Sequence, residues 1–226
     1  MSENQNDYSE VIKIILLGEN GVGKTSLINA YFGEEFTENT QVTTTCSLNS
    51  KILEIKGKKY LIEMWDSIGV ESLRLLNNLF IKGSNIVIFV YDKANERSFR
   101  ELNYWIKTTK ELLSEEVVYV IVGNKIDYFG FMLFYEEGEK FAKENGALFY
   151  TTSAKEDSTG FQMFVDKLIE KYIENKTGNN IDEVSKEKNI KIITEKNTKN
   201  KEKKLPSLSH NNFCKISPPL IKYTKY

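Results

Sequence analysis

The stretch that most restricts what this chain can become lies at residues 11–32. Val11 to Leu17 is an almost continuous apolar run, partly β-branched, and Ser26 to Phe32 reads as a helix. Between them stands Gly18-Glu19-Asn20-Gly21-Val22-Gly23-Lys24-Thr25. An apolar run with so little alternation predicts a strand covered on both faces of a mainly parallel sheet. The three glycines permit backbone conformations that a side chain would obstruct, so successive N–H groups turn inward around the phosphates of a nucleotide. Lys24 then reaches the β- and γ-phosphates and Thr25 offers a hydroxyl to Mg²⁺, both at the positive end of a helix. Asn20, Gly21, Val22, Gly23, Lys24, Thr25 and Ser26 are the candidate phosphate contacts. A plain glycine-rich turn is the bland alternative, and the strand before it and the helix after it argue against that.

The chain continues in the same rhythm. Ser47 to Ile55 and Lys58 to Trp65 read as a hairpin turned at Lys56-Gly57, and Ile86 to Tyr91, Val117 to Gly123 and Ala147 to Tyr150 as buried strands. Helices are expected at Ser98 to Leu113, opened by a capping box of Ser98 and Glu101, at Phe134 to Asn145 and at Thr159 to Asn175. The last carries an apolar stripe of Phe161, Phe164, Val165, Leu168, Ile169 and Tyr172. Strands alternating with helices predict an α/β fold, doubly wound, with a mainly parallel six-stranded sheet and helices on both faces. Ligands bind such sheets beyond the carboxyl ends of the strands. The polar stretch Gly33 to Thr45 is long for a connection, which marks it as functional.

Composition removes several alternatives. His210 is the sole histidine and the two cysteines, Cys46 and Cys214, are far apart, so a histidine triad or a zinc site is not expected. Unpaired cysteines and the lack of a signal peptide or a membrane-length apolar run suggest a cytoplasmic setting. Residues 174–226 hold 12 Lys against 6 acidic residues, together with all three prolines, whereas residues 1–173 are acidic. That shift predicts three parts: a flexible N-terminus at 1–10, one domain at 11–175 and a basic, Asn/Lys-rich disordered tail at 176–226. The tail lysines are interrupted by acids and lack interleaved aromatics, so nucleic-acid binding is not expected. A weak contact with anionic membranes is.

Three further motifs fall at predicted strand ends. Trp65-Asp66-Ser67-Ile68-Gly69 puts a carboxylate, Asp66, where it can hold the Mg²⁺ that Thr25 ligates, and Gly69 lets the backbone approach a γ-phosphate. Gly123-Asn124-Lys125-Ile126-Asp127 offers a carboxylate at Asp127 that can accept from the ring N–H and exocyclic amine of guanine, a donor pair that adenine lacks. Thr152-Ser153-Ala154-Lys155 can supply the Ala154 N–H to the guanine carbonyl, with Lys155 against the base or ribose.

In this order and spacing the motifs GENGVGKT, WDSIG, GNKID and TSAK resemble those of the Ras superfamily of small GTPases, the Rab branch most closely. Tyr91-Asp92 and Ser98-Phe99 resemble the Rab pattern after the fourth strand. The resemblance spans roughly Val11 to Tyr172 and implies a switch between GDP and GTP forms with Mg²⁺. It also implies contacts to exchange factors, GTPase activators and effectors through switches at about Phe36 to Thr45 and Ser67 to Asn78. It puts the guanine-covering aromatic on Phe36 and the second Mg²⁺-binding threonine on Thr43, with Thr44 and Thr45 as neighbouring registers. Lys24, Thr43, Gly69 and Val70 are the implied catalytic positions; Thr25, Thr43 and Asp66 the metal ligands; and Asn124, Lys125, Asp127, Ser153, Ala154 and Lys155 the base contacts.

The departures are as informative. Val70 stands where the family has its water-positioning glutamine, which predicts slow intrinsic hydrolysis of GTP to GDP and phosphate. Thr45-Cys46-Ser47-Leu48 replaces the Rab Gly-x-Asp-Phe, and the chain ends Lys222-Tyr223-Thr224-Lys225-Tyr226 where Rab proteins carry prenylated cysteines. The expectation is a monomeric, Rab-like GTP-binding protein of vesicle traffic, peripheral on intracellular membranes. The rival reading is a constitutively GTP-loaded scaffold for effectors.

Overall fold

The computed structural model describes residues 8–38, 41–69, 77–114, 116–128 and 133–177, all within one compact unit. Val70 and the tail from residue 178 onward lie outside the described residues. In chain order the elements are β1 (Glu10–Leu17), α1 (Lys24–Phe32), β2 (Ser47–Ile55), β3 (Lys58–Asp66), α2 (Asn77–Ile81) and β4 (Ile86–Asp92). They continue with α3 (Glu96–Arg100), α4 (Leu102–Leu112), β5 (Val118–Asn124), α5 (Tyr135–Glu144), β6 (Leu148–Thr151) and α6 (Ser158–Lys176). The sheet order is β2-β3-β1-β4-β5-β6, with β2 antiparallel to β3 and every other pairing parallel. The β2–β3 hairpin turns at Lys56 (φ 51°) and Gly57 (φ 75°), the left-handed pair that matches strand twist in a two-residue connection.

The alternation of side chains along each strand sorts them onto two buried faces. Ile15, Leu17, Val87, Phe89, Tyr91 and Ile121 pack with Ile81 of α2, Leu102, Trp105 and Ile106 of α4 and Ala142 of α5. The intervening residues Ile12, Ile14, Leu16, Ile88, Val90 and Val120 are equally buried on the opposite face, where α1 and α6 pack on one another. Burying each such side chain contributes roughly 1.5–3 kcal/mol relative to exposure. Gly138 sits inside α5, where glycine costs about 1 kcal/mol relative to alanine. A Cβ there would fall on the Phe149 ring and 2.8 Å from the Tyr91 hydroxyl, so its absence lets α5 close on the sheet.

Two expectations are corrected. The helix expected from Ser98 begins two residues earlier, at Glu96, and its cap is Asn95, whose Oδ1 accepts from the Ser98 N–H at 3.3 Å. Ser98 is no cap because its hydroxyl is turned back on the strand end, accepting from the Asp92 N–H at 3.0 Å and donating to the Asn95 carbonyl at 2.7 Å. α3 and α4 are separated only at Glu101, which keeps right-handed helical dihedrals. On α6 the buried position is Ile173. Tyr172 lies at the margin, its hydroxyl accepting from Asn85 Nδ2 at 2.9 Å.

Candidate nucleotide-binding site

The loop Gly18–Lys24 carries β1 into α1, with Gly21 (φ 76°) and Gly23 (φ 97°) in the left-handed region that a side chain strains. Its carbonyls accept hydrogen bonds from lysine and asparagine side chains. Lys24 Nζ donates to the carbonyls of Gly18 (2.9 Å) and Glu19 (3.0 Å), Lys125 Nζ to that of Gly21 (2.7 Å), and Asn124 Nδ2 to that of Val22 (2.9 Å). In a trans peptide the C=O and the next N–H point in opposite directions. Fixing the Gly21 and Val22 carbonyls therefore turns the N–H groups of Val22 and Gly23 to the other side of the loop. Lys24 is 5% exposed. Its burial lowers its pKa to about 8 against the raising influence of Asp66 and Glu19.

Three oxygens converge beside it. Thr25 Oγ1 donates to Asp66 Oδ2 at 2.6 Å, Thr43 Oγ1 lies 3.1 Å from Thr25 Oγ1, and Thr43 Oγ1 reaches the same carboxylate oxygen at 3.4 Å. Of the three neighbouring threonines it is Thr43 that meets Thr25 and Asp66. Burial raises the Asp66 pKa, with Thr25, Lys24 and Thr43 opposing it, and its Oδ1 is buried without a hydrogen-bond partner. A buried carboxylate with a free oxygen beside two hydroxyls is a hard-oxygen set that fits Mg²⁺.

The segment after Asp66 is clamped from α2. Asn77, fully buried, accepts at Oδ1 from the Ile68 N–H (3.1 Å), donates at Nδ2 to the Ile68 carbonyl (2.8 Å), and accepts from Cys46 Sγ at 3.3 Å. Gly69 is thereby set against the phosphate loop, where a Cβ would lie 2.6 Å from the Asn20 nitrogen and 2.7 Å from Lys24 Nζ.

At the other end, Asp127 Oδ1 accepts from Ser153 Oγ at 2.6 Å, and the same hydroxyl accepts from the N–H groups of Lys155 (3.1 Å) and Glu156 (3.0 Å). The Ala154 N–H, expected to face a base carbonyl, donates to Asn124 Oδ1 at 3.1 Å. Lys155 Nζ pairs with Glu38 at 2.9 Å and stands 6.0 Å from the centre of the Phe36 ring. Both partners of that pair are largely exposed, so it contributes little to stability.

These groups line one cavity of about 420 Å³. It includes Asn20, Gly21, Gly23, Lys24, Thr25, Ser26, Phe36, Thr43, Gly69, Asn124, Lys125, Asp127, Ala154 and Lys155. Asp66, Val22 and Ser153 stand behind that lining and hold it through the bonds above. No motif in the sequence announces the clamp by Asn77, the Glu38 partner of Lys155, or the bond of Asp92 to Lys125, whose Nζ lies 2.8 Å from its carboxylate. Asp92 alone had a signal, a carboxylate closing an apolar strand; an asparagine in an otherwise unremarkable segment has none.

Comparison with known proteins agrees with this geometry. The Ras family model matches residues 13–174. The chain is 33% identical over 175 residues to Ras-related protein SEC4 of Saccharomyces cerevisiae, covering 76% of this chain and 81% of that protein. It is 37% identical over 155 residues to Ras-related protein Rab-21 of Mus musculus (68% and 70%), and 34% over 164 residues to Ras-related protein Rab-18 of Lymnaea stagnalis (72% and 81%). The chain belongs to the Ras family, in its Rab branch of GTP-binding switches in vesicle traffic.

Proposed function

We propose that the cavity binds GDP or GTP with one Mg²⁺ held by Thr25, Thr43 and Asp66, and that Asp127 selects guanine. The observation that carries this is the joining, in one cavity, of a hard-oxygen cluster at the phosphate loop and a carboxylate fixed by Ser153 at the opposite end. Held by Thr25, Thr43 and Asp66, Mg²⁺ would neutralise phosphate charge at that end of the cavity. Lys24 adds a positive charge at the same end. Phe36 and Lys155 cover the base. The loop carrying Thr43 and the segment ending at Gly69 are the natural sensors of a γ-phosphate, because both meet the phosphate loop. Exchange factors, activators and effectors would read those two segments, beside which Leu48 pairs with Trp65 across the hairpin and Trp65 packs on Phe80 at 5.5 Å.

The family is one of GTPases; for this chain we propose a low intrinsic rate. Valine at position 70 offers the attacking water neither donor nor acceptor, which slows hydrolysis by roughly 10- to 100-fold while leaving nucleotide affinity nearly unchanged. Val70→Gln should accelerate single-turnover hydrolysis at least several-fold, on the order of the contribution of one aligned hydrogen bond. A wild-type protein that remains fully GTP-loaded even with an activator present would favour the scaffold reading. The basic tail adds a weak, salt-sensitive contact with anionic membranes. Among the described residues no helix is long and apolar enough to cross one. The test of the central reading is to release and identify the nucleotide carried by purified protein and to compare its affinities for GTP and ATP. Equal affinities would overturn guanine selection.

A further inference from the structure

We propose that Asn77 is a positioning residue for nucleotide discrimination: through the Cys46 thiol it joins the segment ending at Gly69 to the loop carrying Thr43, so that the two take up their places together. The inference rests on the guanine-nucleotide reading above and adds a coupling between its two sensing segments.

The link starts in the hairpin. β2 and β3 run antiparallel with Ser47 opposite Asp66, so the residue before β2 and the residues after β3 leave the sheet side by side. Cys46 precedes β2, and Ser67 and Ile68, both buried, follow β3. From Thr43 to Leu48 only Thr43 and Cys46 turn partly inward, while Thr44, Thr45, Ser47 and Leu48 are exposed. The loop is therefore pinned at two points, by Thr43 on Thr25 and Asp66 and by Cys46 on Asn77. Cys46 stands at the open position x of the Rab Gly-x-Asp-Phe, so the family pattern does not prescribe this second pin.

Asn77 opens α2, and its amide is held in one orientation. Nδ2 donates to the Ile68 carbonyl at 2.8 Å, which leaves Oδ1 to accept from the Ile68 N–H at 3.1 Å and from the Cys46 thiol at 3.3 Å. One fully buried side chain thus takes both backbone groups of Ile68 and delivers the next residue, Gly69, against Asn20 and Lys24. A thiol is a weak donor, so what the bond joins matters more than its strength. Cys46 is three residues from Thr43, and Ile68 is next to Gly69. A γ-phosphate that fixes either segment therefore reduces the conformational entropy that the other has still to lose. GDP lacks the phosphate that both segments meet, so loss of the link should weaken GTP binding far more than GDP binding.

The experiment is a double-mutant cycle on the full chain, measuring affinities for GDP and for a non-hydrolysable GTP analogue at saturating Mg²⁺. Cys46→Ala should lower the GTP-to-GDP affinity ratio about threefold, the scale of one weak neutral hydrogen bond. Cys46→Ser keeps a donor and should hold the ratio near that of the wild type. Asn77→Ala should lower it by on the order of tenfold, and the double variant no further, because the Cys46 bond is already gone. A purely structural role would weaken both nucleotides equally. That result, additive effects in the cycle, or a wild-type ratio in Cys46→Ala would overturn the proposal. Should Asn77→Ala fail to fold, the contrast between Cys46→Ala and Cys46→Ser decides alone, and equal ratios in those two would overturn it. A wild-type protein that binds no guanine nucleotide would instead overturn the reading beneath it.

Discussion

Asn124 Nδ2 donates to the Val22 carbonyl at 2.9 Å, tying the loop that follows β5 to the phosphate loop 102 residues earlier in the chain. With Oδ1 accepting from the Ala154 N–H, one buried side chain joins three loops. Asn124→Ala leaves a carbonyl and an N–H without partners, at about 1–3 kcal/mol each. The expected result is a lower melting temperature together with nucleotide affinity reduced at least tenfold, read by thermal unfolding with and without GDP. Unchanged values for both would show that water replaces the amide.

Asp127 is held by Ser153 and lines the cavity, and under the proposed function its carboxylate selects the base. Asp127→Asn exchanges an acceptor pair for one acceptor and one donor, so GTP binding should weaken by at least the roughly 1–3 kcal/mol of an unsatisfied buried group. Xanthosine triphosphate, which carries a carbonyl at that edge, should bind better than it does to the wild type. Competition binding with the two nucleotides gives the answer, and a variant that still prefers GTP would remove Asp127 from base recognition.

Gly69 leaves no space for a side chain between the phosphate loop and the Asn77 clamp. Gly69→Ala should displace the segment from Asn20 and Lys24 while the sheet stays intact. GTP affinity should drop relative to GDP by on the order of tenfold, equivalent to one lost hydrogen bond to a charged group. An unchanged GTP-to-GDP ratio would mean that Gly69 does not approach the γ-phosphate.

Three buried phenols set an alkaline limit. Burial first, then the charge of Asp166 and the hydrogen bond to it, hold Tyr31 protonated far above its ordinary pKa of 10.0. Tyr91 is raised by burial, then by Glu137 and Tyr135, and Tyr150 by burial and then Asp157. Above pH 10 the unfolded chain therefore binds fewer protons than the folded one, so stability present below that pH is lost as pH rises. Lys51 and Lys93, whose pKa values burial lowers from 10.5, act in the opposite sense below that value. Urea unfolding across the alkaline range should show the decline, with a shallower slope in Tyr31→Phe. A slope identical to that of the wild type would remove Tyr31 as a contributor.

The sequence by itself determined the architecture and the chemistry of the site. Near-continuous apolar runs such as Ile86 to Tyr91 specify buried parallel strands, and the short motifs at their ends mark the candidate phosphate, metal and base contacts, because both signals are local. The tertiary structure decided which side chains meet where elements come together. It brought Thr43 to Thr25 and Asp66, because β2 must pair with β3 in a fixed register and so sets the path of the preceding loop. It turned Ser98 from an expected cap into a support for Asp92, because Asn95 caps the helix and leaves the Ser98 hydroxyl to accept from the Asp92 N–H. It also placed Asn77 on Ile68 and Asp92 on Lys125. Neither pairing has a motif of its own: Asp92 meets Lys125 because parallel β4 and β5 bring their ends side by side, and Asn77 reaches the Ile68 backbone from α2, where buried polar groups must find partners.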